Sequence, residues 1–410
     1  MLSDDAIENL IQPIIDRQES INAYVIEMIA KRVREIGNFS PSDIKRLKLL
    51  VAMGSDIRQI NDELAKLTNL QVREIKNLIK QVAIEDYIDA KPFYDYRHKS
   101  FIPYNENTDL QQLVNAIANQ TADTYVNISK STATGFMIRD LQNPGVLRFQ
   151  PIDATYQSVV DEAIQAVRSK TVDFNTAVRR TIKQLADSGV RRISWDSGYT
   201  QRLDSAVRRN VLDGVHAVRQ QVQDEIGRQI NADGKELSAH ANPAVDHEPI
   251  QGHIFTNEEY NKLQNESSFK DVNGTAFGAI RRAIGMWNCG HWAKSIIIES
   301  YKPRYTDTQL KKFIDDNHAG YTTSNGKHFT MYECKQYQRQ LETKIRYAKE
   351  HQIAFRASGD RKQAELYQAR INDLLTQYKM FSNACGLKPQ MNRTRVPDYH
   401  KIKLYNIYFD

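Results

Sequence analysis

Apolar residues recur at Leu203, Val207, Val211, Val215, Val218, Val222 and Ile226. Steps of three and four sustained over roughly six turns are the period of an α-helix with one buried stripe. A strand would need alternation by two, so this stretch cannot be β, and its stripe needs a partner surface to cover it. The same period returns elsewhere. Ile21, Val25, Met28, Ile29, Val33 and Ile36 mark a helix within 4–36, and Val72, Ile75, Ile79 and Val82 mark another after Thr68–Asn69. Near the other end, Cys334, Tyr337, Leu341, Ile345 and Ala348 face Tyr367, Ile371, Leu374, Tyr378 and Phe381 across the turn residues "ASGD" at 357–360. That pairing predicts a helical hairpin.

The breakers between these stripes set the expected boundaries. Pro13 falls near a start or a kink, and Gly37 fits a left-handed cap. Ser40, Pro41 and Asp43 form a restart signal, and Gly54–Ser55 reads as a break. A helix is expected near 109–128, whereas "AKPFYDYRHKSFIPYNENT" reads as a loop or arm and "LQNPGVLRF" at 141–149 as a turn into an extended piece. Helices follow from Asp153, from "DFNTAVRRTIKQLADSG" to a stop at Gly189, and over 196–230 as the longest of them. Between 231 and 300 Gly, Pro, Asn and His crowd the chain and "AKSIIIESY" reads as a strand. The expected fold is mainly α with a small embedded α+β domain, long helices and a C-terminal helical hairpin. Its expected parts are a helical module (1–90), a connector or arm (91–150), a central helical region (151–230), the α+β domain (231–325), the hairpin (326–386) and a basic-aromatic tail (387–410).

The chain has 410 residues, 40% hydrophobic and 26% charged, with a formal net charge of +6. That balance permits acidic partners but is dilute over this length. Three widely spaced cysteines, Cys289, Cys334 and Cys385, argue against a disulfide framework and fit a reducing compartment. The acidic start "MLSDDAIENL" is unlike a signal peptide, and no apolar run approaches the ~20 residues of a membrane span. Synthesis in the cytoplasm and no membrane partner are expected.

One chemical cluster stands out. "WNCGHW" holds Cys289 and His291, and "SAHANPAVDHEPIQGHIF" holds His240, His247 and His253. Imidazole and thiolate suit zinc, and four such groups, here His240, His247, Cys289 and His291, close a structural site. The spacings match no common zinc finger. Two histidines could instead act as acid and base on a phosphodiester with Lys235 or Arg281 as anion clamp, or Cys289 and His247 could form a nucleophile pair. The residue types favour a third reading, in which the polar groups tie backbone together, Cys289 is a small buried hydrophobe, and Trp287 and Trp292 pack. No cofactor is then required, structural zinc being the one exception.

Arginine is dense from 179 to 219. Arg179, Arg180, Arg191, Arg192, Arg202, Arg208, Arg209 and Arg219 suit phosphate or an acidic protein surface. Singly, each reads as a solvated residue beside Asp187, Asp204 or Asp213. In the tail, Arg393, Arg395, Lys401 and Lys403 alternate with Tyr399, Tyr405 and Tyr408, a pattern for nucleic-acid contact or for an arm ordering on a neighbouring protein.

Four stretches in order carry a family resemblance: "SGVRRISWDSGYTQRLDSAVRRNVLDGV", "SAHANPAVDHEPIQGHIF", "AIGMWNCGHWAKSI" and "GKHFTMYECKQYQRQLETKIRYAKE". Together they resemble the phage minor capsid protein 2 family, related in role to the Mu-F-type head morphogenesis proteins of tailed phages. The chain departs from the family pattern at Gly290 and Tyr199, where Arg is more usual. The resemblance implies a non-enzymatic virion component in few copies, inside the head near the portal. It implies a role in head assembly and DNA packaging or ejection, with the portal protein, the major capsid or scaffold protein and packaged double-stranded DNA as partners. The rival is a nuclease-type or toxin-type enzyme centred on the His/Cys cluster.

Overall fold

Residues 4–36, 43–130, 133–139, 143, 145–169, 174–194, 197–265, 269–270, 276–278, 280, 283–285, 289–399 and 401 are described by the computed structural model. The expected cap at Gly37, the restart at Ser40–Pro41, Arg281, Trp287, Lys403, Tyr405 and Tyr408 lie outside them. Helices in chain order are α1 (Asp4–Ile36), α2 (Asp43–Ile88), α3 (Lys91–Tyr96), α4 (Thr108–Ser129), α5 (Ile152–Ser169), α6 (Phe174–Ser188), α7 (Leu203–Ile230), α8 (Asn257–Asn265), α9 (Asp307–Ala319), α10 (Met331–Ala357) and α11 (Arg361–Ala384). The mainly α expectation holds, with the sheets small and antiparallel. Among the described residues no helix is long and apolar enough to cross a membrane.

The chain divides into two units built from interleaved stretches. One comprises 1–11, 73–123 and 209–337, the other 12–72, 124–208 and 338–410. The α7 stripe is realised: its seven members are each at most 1% exposed. Burying side chains of this size stabilises by about 1.5–3 kcal/mol each relative to exposure. Helix α7 starts at Leu203, however, because the preceding residues make a strand pair. Helix α2 is longer than α7 and runs unbroken through Gly54 and Thr68. Gly54 costs about 1 kcal/mol in a helix interior without ending it, and the Thr68 hydroxyl bonds back to the Leu64 carbonyl at 2.7 Å instead of capping a new helix. Pro13 lies inside α1.

In the second unit, Arg32 clamps the Asp56 carboxylate at 2.9 and 3.0 Å, and the Tyr156 hydroxyl donates to the same group. Strands β1 (Thr134–Arg139), β2 (Leu147–Pro151), β3 (Arg191–Ile193) and β4 (Thr200–Arg202) form an antiparallel sheet in the order β2-β1-β3-β4. Residues 147–149 of the expected extended piece thus lie in β2. Gly135 permits the β1–β2 pairing, since a Cβ there would fall 1.9 Å from the Gln150 carbonyl oxygen. Helix α6 ends at Gly189, whose φ of +59° suits glycine. Helices α10 and α11 make the expected hairpin around Leu341, Ile345, Ala348, Ile371, Leu374 and Tyr378, and Asp360 caps α11 through the Gln363 amide.

In the first unit, α4 and α7 approach closely: a Cβ on Gly214 would meet the Thr121 side chain at 2.5 Å, and Asn210 donates to the Thr121 carbonyl at 3.0 Å. The aromatic stretch read as a loop or arm contains α3 and packs closely. Tyr87 stacks on Phe101, its hydroxyl donates to the Ile102 carbonyl, and Tyr94 is buried. Strands β5 (Gly234–Leu237), β6 (Ile254–Thr256) and β9 (Ala293–Ile296) pair in the order β6-β5-β9, with β7 (Phe269–Lys270) against β8 (Ala276–Phe277) and β10 (Tyr321–Thr322) against β11 (His328–Phe329). Leu237, Ile250, Phe255, Tyr260, Leu263, Phe277, Ile284 and Ala293 form the core beneath the three-stranded sheet.

Candidate metal centre

Pairing of β5 with β9 runs on past the strand ends. The Ser238 amide donates to the Trp292 carbonyl at 2.9 Å, and the Trp292 amide donates to the Ser238 hydroxyl at 3.0 Å. This fixes the segment carrying Cys289 and His291 just ahead of β9. Opposite it the chain leaving β5 turns tightly: the amides of His247 and Glu248 donate to the Ala244 carbonyl, and the amides of Ile250 and Gln251 to the His247 carbonyl. Gly252, at a φ of +72°, returns it to β6.

These two stretches bring three donor atoms together. His247 Nδ1 lies 3.3 Å from Cys289 Sγ and 3.3 Å from His291 Nδ1, and Cys289 Sγ lies 3.5 Å from His291 Nδ1. The three side chains are 1%, 3% and 2% exposed. Gln251 Oε1 sits 3.4 Å from His291 Nε2 and accepts the His240 amide at 3.1 Å, while Asp246 Oδ2 lies 3.7 Å from His247 Nε2. Such outer contacts turn a ring so that its other nitrogen faces the centre.

Of the residues anticipated from sequence, His247, Cys289 and His291 converge and His240 does not. Its ring lies against His291 at a tilt of 31° with centroids 4.3 Å apart, and its Nδ1 lies 3.2 Å from the Ala241 carbonyl. His253 is exposed and packs edge-on against Phe277. Lys235, the proposed anion clamp, is bound to Asp224 at 2.5 Å. Gln251 was not singled out, although its place in "IQGHIF" beside Gly252 puts it in the same turn as His247. Trp292 packs against the guanidinium groups of Arg219 and Arg304, 5.3 and 4.9 Å from its ring centroid.

The arginines divide by burial. Arg202 is a correction to the contact set: its side chain is 6% exposed and bound to Glu350 at 2.6 and 3.1 Å and to Asp204 at 3.1 Å. It is an internal group because Gly189 leaves room for its guanidinium, where a Cβ would come within 2.2 Å. Arg346 reaches Glu19 at 2.8 Å in the same cluster. Burial, reinforced by Asp204, pushes the Glu19 carboxyl well above its usual value; against the opposing effect of burial, Arg202 and Arg346 hold Asp204 below its own. Two guanidinium groups, Arg202 and Arg346, face three carboxylates here, Glu19, Asp204 and Glu350. Arg219 is internal too, 3.3 Å from Asp86, whose carboxyl burial raises to about 6.

Arg179 pairs with Asp360 at 2.8 Å and Arg191 donates to Thr200 at 3.0 Å, both half-buried, as Arg192 is. Arg208, Arg393 and Arg395 line a 70 Å³ cavity with Asp16 and Glu19. Arg180, Arg209, Arg395 and Lys401 are exposed. Tyr399 in the tail stacks on Tyr24 and donates to Glu63.

No curated protein and no solved structure matches the chain. A family model described as Phage minor capsid protein 2 matches residues 2–383, a span that includes both the His/Cys cluster and the Arg202 network. The chain belongs to the phage minor capsid protein 2 family.

Proposed function

We propose that this minor capsid protein is a non-enzymatic component of a tailed-phage head, held inside the capsid near the portal in few copies. It aids head assembly and DNA packaging or ejection by bridging the portal, the major capsid or scaffold protein and packaged double-stranded DNA. The observation that carries this reading is the family match over residues 2–383. Two features support it. Arg180, Arg209, Arg395 and Lys401 are exposed and cationic, suiting contact with phosphate or an acidic protein face. The His/Cys cluster is at most 3% exposed, which favours an internal clasp over the nuclease reading, since a hydrolytic centre needs room for a phosphodiester.

Virions purified away from lysate provide the test. The protein is expected to remain with nuclease-treated, salt-washed particles, in far fewer copies than the major capsid protein, and to crosslink to the portal. Its absence from such particles would overturn the capsid reading. Cleavage of DNA or RNA by the purified protein, lost in His247→Ala without a change in melting, would overturn the non-enzymatic part alone.

A further inference from the structure

We propose that His247, Cys289 and His291 bind one Zn²⁺ ion through Nδ1, Sγ and Nδ1, with Gln251 as the residue that positions His291. The inference stands on side-chain geometry and does not depend on the capsid reading.

Zinc holds imidazole nitrogen at about 2.0–2.1 Å and thiolate sulfur at about 2.3 Å in a tetrahedron. Those lengths place two nitrogens about 3.3–3.4 Å apart and nitrogen about 3.5 Å from sulfur. The observed separations are 3.3 Å between the nitrogens and 3.3 and 3.5 Å from each nitrogen to sulfur. All three edges therefore match one face of a zinc tetrahedron.

Hydrogen bonding alone accounts poorly for the same triangle. Each Nδ1 carries one proton or one lone pair in the ring plane, so it serves one neighbour well. Here each Nδ1 stands within 3.5 Å of two others at once. A single atom at the common centre would serve all three. The mixed nitrogen and sulfur donor set selects zinc over magnesium or calcium, which take oxygen. The donors come from the turn after β5 and the segment before β9, so the ion would cross-link two stretches about forty residues apart around a small apolar core. Gln251 Oε1 lies 3.4 Å from His291 Nε2 and can only accept a hydrogen bond, which selects the tautomer with the hydrogen on Nε2 and leaves the Nδ1 lone pair for the metal. His240 is not among the three converging donors, and the burial of those three makes this an enclosed structural site.

The test uses the full chain, purified without chelator. Elemental analysis is expected to give one zinc per chain. Exchange for cobalt is expected to give tetrahedral ligand-field bands with a thiolate-to-cobalt charge-transfer band. Cys289→Ser should lose the charge-transfer band, His240→Ala should keep both stoichiometry and spectrum, and Gln251→Leu should weaken zinc binding about 10–100-fold. Parent protein that is folded by circular dichroism yet takes up neither stoichiometric zinc nor cobalt would overturn the proposal, even if every variant failed to fold. Retention of the charge-transfer band in Cys289→Ser, or loss of metal in His240→Ala, would overturn the assigned ligand set.

Discussion

Each unit buries a polar cluster with a character of its own, one built on Arg202 and one on Cys289. Around Arg202 the groups are ions of both signs that face one another, guanidinium on carboxylate, with burial raising the Glu19 carboxyl. Around Cys289 the groups are weak ones of a single kind, donors to a cation, pointing at one another. The first cluster is complete in its own side chains. The second would be completed by the zinc ion proposed above. A buried polar cluster is therefore read by asking whether its charges close, rather than by how many polar atoms it holds.

The largest expected effect is on the Arg202 side. Glu350→Ala strands Arg202 without its bidentate partner and is expected to cost about 3–5 kcal/mol of stability by denaturant titration. A loss below 1 kcal/mol would break the picture of a closed ion cluster. Next comes the cation side. Zinc at a hundredfold excess over its Kd should stabilise the protein by about 2.7 kcal/mol, and a chelator should reverse this, while Glu350→Ala leaves the increment unchanged.

The third effect concerns pH. The folded-state pKa of Glu19 is raised above its usual 4.5, so its contribution to stability is fully present below that value and is lost as pH rises through the folded-state pKa. Glu19→Gln should remove this loss. The variant should gain on the parent as pH rises through that window, by at most about 1.4 kcal/mol per pH unit, measured as the difference between two stability–pH curves. The smallest effect sharpens the contrast with the surface. Arg180→Gln and Arg209→Gln should shift stability within about 0.5 kcal/mol while weakening salt-sensitive binding to DNA or to an acidic partner.

How much of this was legible in the sequence follows from range. The α7 stripe and the α10–α11 hairpin were readable because a 3.6 period is local. So were the stop at Gly189 and the strand at Ala293–Ile296. Gly54 misled because one glycine weakens a helix without ending it when the apolar stripe continues on both sides. Residues 196–202 misled because a short strand pair, β3 with β4, offers little alternation before the helical period takes over. The burial of Arg202 was invisible for a different reason. Its decisive partner, Glu350, lies 148 residues away, and one sequence records no such pairing. The His/Cys cluster fell between these cases: the residue types were evident, but only the turn around Ala244–Gln251 separates His247, which joins the converging atoms, from His240, which lies alongside His291.

The interleaving of the chain has a consequence for how the protein is made. The second unit draws on residues 12–72 and also on 338–410. While the ribosome is still short of Glu350, the nascent chain carries Arg202, Asp204 and Glu19 without the Glu350 carboxylate that completes their cluster. That unit can finish folding only near the end of translation, so a frameshift or premature stop late in the message should leave its early helices prone to aggregation.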